Sequence, residues 1–328
     1  MKPQDSGRDA SQLHPAGWAC ERSAGRPRPE VPDGIRNDFQ RDRDRIIHAK
    51  AFRRLMHKTQ VFISPDGDHF RTRLTHTLEV MQVARTIARS LGLNEDLTEA
   101  ITLGHDLGHT PFGHTGEEAL SRSLADHGRA FRHNEHSLRV VDKLEKGGEG
   151  LNLTLEVRDG IINHTGEGYP STREGEIVRI ADRIAYVNHD VDDALRAGLV
   201  SWEELPELPL AVLGDKMSIR IGTLVRDMIS NSRSKGEISL SDGVYRVLME
   251  LRAWLFDHVY MNPRYRENQK AAGVVAALFE YYLEHPEERV GSDPDPICET
   301  VDFIAGMTDR YALATYRRLF LPRGEIFA

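Results

Sequence analysis

From Ile35 onward the apolar residues of this chain recur at steps of three and four, a period that admits little besides helices packed on helices. Ile47, Ala51 and Leu55 fall at i, i+4 and i+8. Leu74, Leu78, Met81, Ala84, Ile87 and Leu91 carry the pattern over nearly five turns, and Ile177, Ile180, Ala181, Ile184, Val187, Val191 and Leu195 repeat it. Asn94 before Glu95 and Asp96 reads as an N-cap with acids at the positive helix end, opening a helix through Leu97, Ile101 and Leu107. Gly273–Leu283 and Asp302–Leu319 read as two later helices. Period-two alternation is scarce. Its best instance is Val61-Phe62-Ile63, a short strand or hairpin ended by Ser64-Pro65-Asp66-Gly67. The expected fold is therefore all-α, with loops at 64–70, 147–152 and 164–175 and a proline-rich break near 205–209. Residues 1–34 are rich in Gly, Pro, Ser and Arg and poor in apolar positions, and read as a disordered tail before one helical domain over 35–328.

Composition narrows the function. No apolar run approaches eighteen residues, so no segment is expected to span a bilayer. The N-terminus has no apolar secretory core, and the chain is expected to stay in the cytoplasm. A net charge of -8 argues against a general nucleic-acid coat. Cys20 and Cys298 make neither a disulfide framework nor a thiolate metal site, so any metal ligands must be nitrogen and oxygen.

Nitrogen and oxygen donors are plentiful. Most of the fifteen histidines fall between His48 and His136. His76 in RLTHTLEV, the pair His105-Asp106 in LGHDLGH and Asp182 in RIADRIAY could meet in space as a metal site. Such an ion acidifies water and neutralises phosphate charge together. Taken alone, His76 on an apolar face is more often a satisfied core residue, and Asp182 a surface acid or cap. The pair His105-Asp106 is harder to dismiss, because burial amid Leu103, Gly104 and Leu107 without a partner would be costly.

The densest signal is HDLGHTPFGHTGE, from His105 to Glu117. Pro111 should end the helix carrying His105 and His109, one turn apart, and the following loop should present His114 and Glu117. Histidine suits a general acid near neutrality, and a carboxylate beside it orients the ring and raises its pKa. Asp182, Tyr186 and Asp190 stand at i, i+4 and i+8, one stripe apart from the apolar one, with Arg183 in the same turn. A solvated stripe would look the same.

The order His … His-Asp … Asp around this motif resembles the HD-domain superfamily, and within it the deoxynucleoside triphosphate triphosphohydrolases, or dGTPase-like proteins. The likeness runs from about Arg36 through RDRDRIIHAKAFRRLMHKTQVF, RTRLTHTLEV, FRHNEHSLRVV, IVRIADRIAYVNHDVDDA and DFIAGMTDRYA. A bare His…His-Asp…Asp is shared by many nucleotidases, whereas HDLGHTPFGHTGE with RLTH and ADRIAYVNHD is specific to this group.

The resemblance implies an HD helical bundle with additional helices, its metal-site core at about 70–200 and a C-terminal helical part at about 210–328. It implies water attack on the α-phosphorus of a dNTP, giving deoxynucleoside and triphosphate. His76, His105, Asp106 and Asp182 would hold a divalent metal such as Mn, Mg, Co, Ni or Fe. His114 with Glu117 would be the acid/base pair, with His109 and His133 along the phosphates. Gln60 would sense the sugar 3′ hydroxyl, Arg73 would grip the α-phosphate, Arg183 would reach a phosphate, and Tyr186 and Asp190 would lie beside the sugar. Relatives assemble as tetramers or hexamers, so a homo-oligomer is expected, and a dNTP effector or single-stranded DNA as modulator stays open.

The six arginines between Arg36 and Arg54, mixed with Asp38, Asp42 and Asp44, fit a solvated helix and a polyphosphate-binding edge equally well. Arg132 and His136 in FRHNEHSLRVV depart from the family's commoner wording. Two other functions stay open on sequence: another HD phosphohydrolase, such as a nucleotidase or signalling-nucleotide hydrolase, and a nucleotide-sensing module of little activity.

Overall fold

A computed structural model describes residues 13–61, 71–260, 266–289, 291 and 293–322 of the chain. Among them are fourteen α-helices and no strand beyond an isolated bridge between Thr59 and Thr72. Val61 lies in a bend; Phe62, Ile63 and the expected loop at 64–70 lie outside the described residues.

Helices α1 (Asp38–Ile47) and α2 (Lys50–Arg54) precede α3 (Arg73–Leu91), α4 (Glu95–Gly104), α5 (Gly113–Ala125), α6 (His133–Arg139), α7 (Leu155–Asn163) and α8 (Arg173–Arg196). Then come α9 (Glu207–Leu213), α10 (Met217–Lys235), α11 (Asp242–Leu255), α12 (Arg266–Glu284), α13 (Pro296–Ala305) and α14 (Asp309–Phe320). Thr72 caps α3 through the Thr75 N–H and Asn94 caps α4 through the Leu97 N–H, as its sequence foreshadows. Gly92, at φ 72°, closes α3.

The centre of the molecule is α8. Ile177, Ala181, Ile184, Val187 and Val191 are all fully buried on it. It packs against α3, α4, α7, α10 and α11, with its apolar stripe turned into the first core cluster. A second apolar cluster joins Phe112, Leu120 and Leu124 to Val275, Leu278 and Phe279 of α12 and to Ile304 and Ala312. The C-terminal helices α12–α14 thus form their core on α5, within the segment expected to be the metal-site core, while α10 and α11 belong to the first cluster.

Three expectations change. Residues 13–34 are not loose: buried carboxylates hold them. Glu174 accepts the Trp18 N–H at 2.9 Å, and Glu156 accepts the Ala24 N–H at 2.7 Å and the Ser23 hydroxyl at 2.8 Å. Arg26 is buried against Asp42 and donates to the Asn152 carbonyl at 2.7 Å. A polar anchor of this kind leaves no mark on hydropathy; residues 1–12 lie outside the described residues. The expected last helix is two, α13 and α14, parted at Gly306 and restarted by Thr308, whose hydroxyl accepts the Tyr311 N–H. And α4 stops at Gly104, well before Pro111, for a reason found at the site.

Candidate active site

The polypeptide leaves α4 into a tight turn because Ser137 of α6 captures its backbone. The Ser137 hydroxyl donates to the His105 carbonyl at 2.7 Å and accepts the Gly108 N–H at 2.9 Å, so neither group can continue the helix. Gly108 is required there: a Cβ would stand 2.1 Å from the Ser137 nitrogen. His105 and His109 therefore do not share a helix face. Phe112, at φ 61°, and Gly113, at φ 57°, turn the chain into α5, which puts His114 and Glu117 in a helical first turn rather than a loop.

Four residues from three elements converge. The first turn of α3 supplies His76, the end of α4 supplies His105 and Asp106, and the middle of α8 supplies Asp182. His76 Nε2 lies 3.0 Å from Asp182 Oδ1. His105 Nδ1 donates to the Thr102 carbonyl at 2.6 Å, which fixes the tautomer and leaves Nε2 as a lone pair. That nitrogen is buried without a hydrogen-bond partner, 3.5 Å from Asp106 Oδ1 and 3.7 Å from Asp182 Oδ1. A lone pair facing two carboxylate oxygens in a dry interior is repulsive unless a cation lies among them. His76, His105 and Asp106 offer donor atoms within 4.8 Å of one another, as do His105, Asp182 and His164. The residues present fit a divalent ion.

Electrostatics agree. Burial pushes the Asp182 carboxyl up, but the hydrogen bond and the charge of His76 overcome it and hold the group well down. Asp106 is likewise ionised against burial, held by the buried Arg73 guanidinium beside it. Arg73 is fully buried and donates to Asp106 Oδ2 at 2.6 Å and to the Gln60 carbonyl at 3.4 Å; its Nε is unpartnered. Buried Gln60 keeps its Oε1 without a donor.

Beside this cluster stands a histidine group. His109 stacks on His133 with ring centres 4.3 Å apart. Glu117 accepts both the N–H and the Nδ1–H of His133 at 2.9 Å, whereas His114 Nδ1 is 3.7 Å away. Glu117 therefore pairs first with His133, not with the exposed His114 expected from sequence. Burial lowers His133, but Glu117 more than compensates and raises it; the same contacts hold Glu117 far below its ordinary value despite burial. Burial, Arg73 and His133 all depress His109, which is neutral.

Two family descriptions match this chain: an HD domain over residues 73–187 and a phosphohydrolase-associated domain over residues 238–318. A protein of Caldanaerobacter subterraneus subsp. tengcongensis, named deoxyguanosinetriphosphate triphosphohydrolase-like protein, is 56% identical over 94% of this chain and 93% of its own length. The chain belongs to the deoxyguanosinetriphosphate triphosphohydrolase-like family. A second relative of that name, from Desulfatibacillum aliphaticivorans, is 47% identical over 96% of each chain. Among solved structures, a hypothetical protein from Aquifex aeolicus shares the fold with a TM-score of 0.51 at 18% identity, covering 85% of this chain and 71% of that one. No helix among the described residues is long and apolar enough to cross a membrane.

In this family member several site residues escape sequence reasoning. His164, at the end of α7, is buried 3.2 Å from His133 Nε2, donates from Nδ1 to the Ile161 carbonyl at 2.7 Å, and is held near 3 by burial and by His105 and His133. His189 packs edge-on to His76, with Nε2 3.3 Å from a Glu79 oxygen. A histidine closing an apolar helical run, as in GIINH, is the one local hint for His164. On α8, Tyr186 accepts from Arg252 at 2.6 Å and Asp190 accepts from Tyr260, so that stripe faces the region around α11 rather than open solvent. Arg183, earlier on the same helix, is half-buried.

Proposed function

We propose that this chain hydrolyses deoxynucleoside triphosphates at the α-phosphorus, releasing a deoxynucleoside and inorganic triphosphate. The observation that carries the proposal is the buried, partnerless His105 Nε2 facing the carboxylates of Asp106 and Asp182, because that donor set calls for a dication. His76, His105, Asp106 and Asp182 would hold the ion, and nitrogen with oxygen donors suits Mn, Mg, Co, Ni or Fe alike. When bound, a dication acidifies a water and screens phosphate charge. The substrate class is favoured by the relatives named for dGTP and triphosphate.

The chain's own groups divide the remaining work. His114 projects its exposed imidazole from the first turn of α5, free to protonate the leaving 5′ oxygen. Protonated His133, held by Glu117, faces the phosphates as a cation, while neutral His109 beside it donates a hydrogen bond. Arg73 brings a buried positive charge to the α-phosphate while bracing Asp106, and Arg183 reaches the outer phosphates. Gln60 Oε1 needs a donor, and a sugar 3′ hydroxyl is one. Tyr186 and Asp190 border the sugar, each fixed by a partner from the region around α11.

The test is direct. Purified protein with Mn(II) or Mg(II) is incubated with each dNTP and the products are separated by ion-pair chromatography. Deoxynucleoside with intact triphosphate is expected. Orthophosphate release, or no turnover of any dNTP with or without a second one present, overturns the proposal.

A further inference from the structure

Two sequence segments, FRHNEHSLRVV and DFIAGMTDRYA, carry little of the chemistry above beyond His133, yet they meet at the turn that does. Residues 105–113 begin with two proposed metal ligands, carry His109 in the middle and deliver His114 just beyond. The corner between α13 and α14 grips both sides of this turn. On one side, Asp309 Oδ1 accepts the Phe112 N–H at 2.9 Å and Oδ2 accepts the Thr59 N–H at 2.9 Å. Buried Lys58 joins the same corner to the turn, donating from Nζ to the Ala305 carbonyl at 2.7 Å and to the His109 carbonyl. On the other side, Asp302 accepts from Arg139 at 2.7 and 2.6 Å and lies 3.2 Å from His136 Nε2, whose Nδ1 is 2.9 Å from the Gly108 carbonyl.

The turn needs such a grip. Phe112 has a left-handed φ of 61°, which a bulky side chain adopts only where its surroundings impose it. The local contacts, from the Thr110 hydroxyl to the Gly113 carbonyl at 3.1 Å and from the Gly116 N–H to the Phe112 carbonyl at 3.3 Å, leave the Phe112 N–H unused, and it would be orphaned without Asp309.

We propose that Asp309 and Asp302 are positioning residues for the hydrolysis inferred above, on which this inference rests: they set the 108–112 turn so that His109 and His114 address the substrate. The phosphohydrolase-associated segment, 238–318, is then part of the catalytic apparatus through the α13–α14 corner and not merely a support packed on α5. Neither aspartate touches substrate. Their effect passes through the placement of two histidines, so it falls on turnover more than on metal binding.

Asp309→Asn keeps the shape but can satisfy only one of the two backbone N–H groups. Its kcat should fall about ten- to a hundredfold, the scale of a misplacement near 1 Å, with metal content and KM close to wild type. Amide hydrogen exchange, read by mass spectrometry on peptides covering 106–117, should accelerate in the full-length variant. Asp302→Asn, which removes the charge and one of the two oxygens that accept from Arg139, should do the same from the other side, and it serves where Asp309→Asn does not fold. Asp295→Ala is the control for a merely structural role, because Asp295 caps the far end of α13 through the Ile297 and Cys298 N–H groups. It should lower the melting temperature without loosening 106–117. Unchanged exchange of that segment in both asparagine variants, or an equal loss of kcat in Asp295→Ala at equal loss of melting temperature, overturns the inference. A wild-type protein that hydrolyses no dNTP defeats the functional proposal alone, while the exchange data still decide the grip.

Discussion

Replacing Asp190 by asparagine exchanges a buried carboxyl for a neutral amide of the same shape. Asp190 is 2% exposed; one oxygen accepts the Tyr260 hydroxyl and the other has no partner. Burial, partly offset by Tyr260 and by the charge of His114, raises the carboxyl from 3.8 to about 6. A folded pKa above the unfolded one means that the native state holds this proton more tightly. The contribution to stability is then fully present below the unfolded value and is lost as pH rises through 6. The difference is about two units at about 1.4 kcal/mol each, so the ionised side chain costs about 3 kcal/mol at pH 8. Asparagine has no proton to lose and escapes this cost.

The variant should therefore be about 3 kcal/mol more stable than wild type at pH 8, about half as much at pH 5, and nearly equal at pH 4. For a chain of 328 residues that is about 4 °C in melting temperature at pH 8. Urea and thermal unfolding followed by circular dichroism, with chelator present so that no ion alters the local field, measure both. An Asn variant that melts at or below wild type at pH 8 refutes the reasoning, as does an advantage that does not shrink on acidification. With metal restored, the variant should show a raised KM for dNTPs, because Asp190 borders the proposed sugar site.

Asp106→Ala should lose metal and turnover together, and should cost about 3–5 kcal/mol in the apo protein because it leaves buried Arg73 without its carboxylate; metal retained at full stoichiometry by elemental analysis would contradict this. His114→Ala should keep both metal and stability, since the ring is exposed, while turnover falls by about two to four orders of magnitude. Wild-type-like rates in that variant would remove His114 as the acid. Arg26→Ala should lower stability by about 3–5 kcal/mol, because Asp42 stays buried without its guanidinium. A urea midpoint equal to wild type would mean that residues 13–34 are held by something else.

The metal-ligand candidates are legible in the sequence because each sits in a local pattern: His76 on an apolar helical stripe, His105-Asp106 at a glycine-rich helix end, Asp182 one step off a buried stripe. The geometry brings all four together through short contacts: His76 to Asp182, and His105 to both Asp106 and Asp182. The parts assigned to Gln60, Arg73 and His109 come from family likeness, and their neighbours are a matter of packing. Arg73, proposed to meet the α-phosphate, also braces Asp106, which no spacing discloses. Glu117 stands three residues from His114, a helical neighbour by count, yet its short contacts are with His133, sixteen residues on.

What the chain's sequence determines by itself is therefore its helical class and the long amphipathic helices at its centre. Apolar period and caps act within one or two turns, and α4 begins where Asn94 says. Only the tertiary structure decides where α4 ends, since the Ser137 hydroxyl that takes its last backbone groups comes from α6. Only it orders residues 13–34, through buried carboxylates on helices as distant as α8, and only it brings Asp309 onto Phe112 across 197 positions. Each of these is a polar contact between elements far apart in sequence. Such partners are selected by how the helices pack, and no local period along the chain encodes that choice.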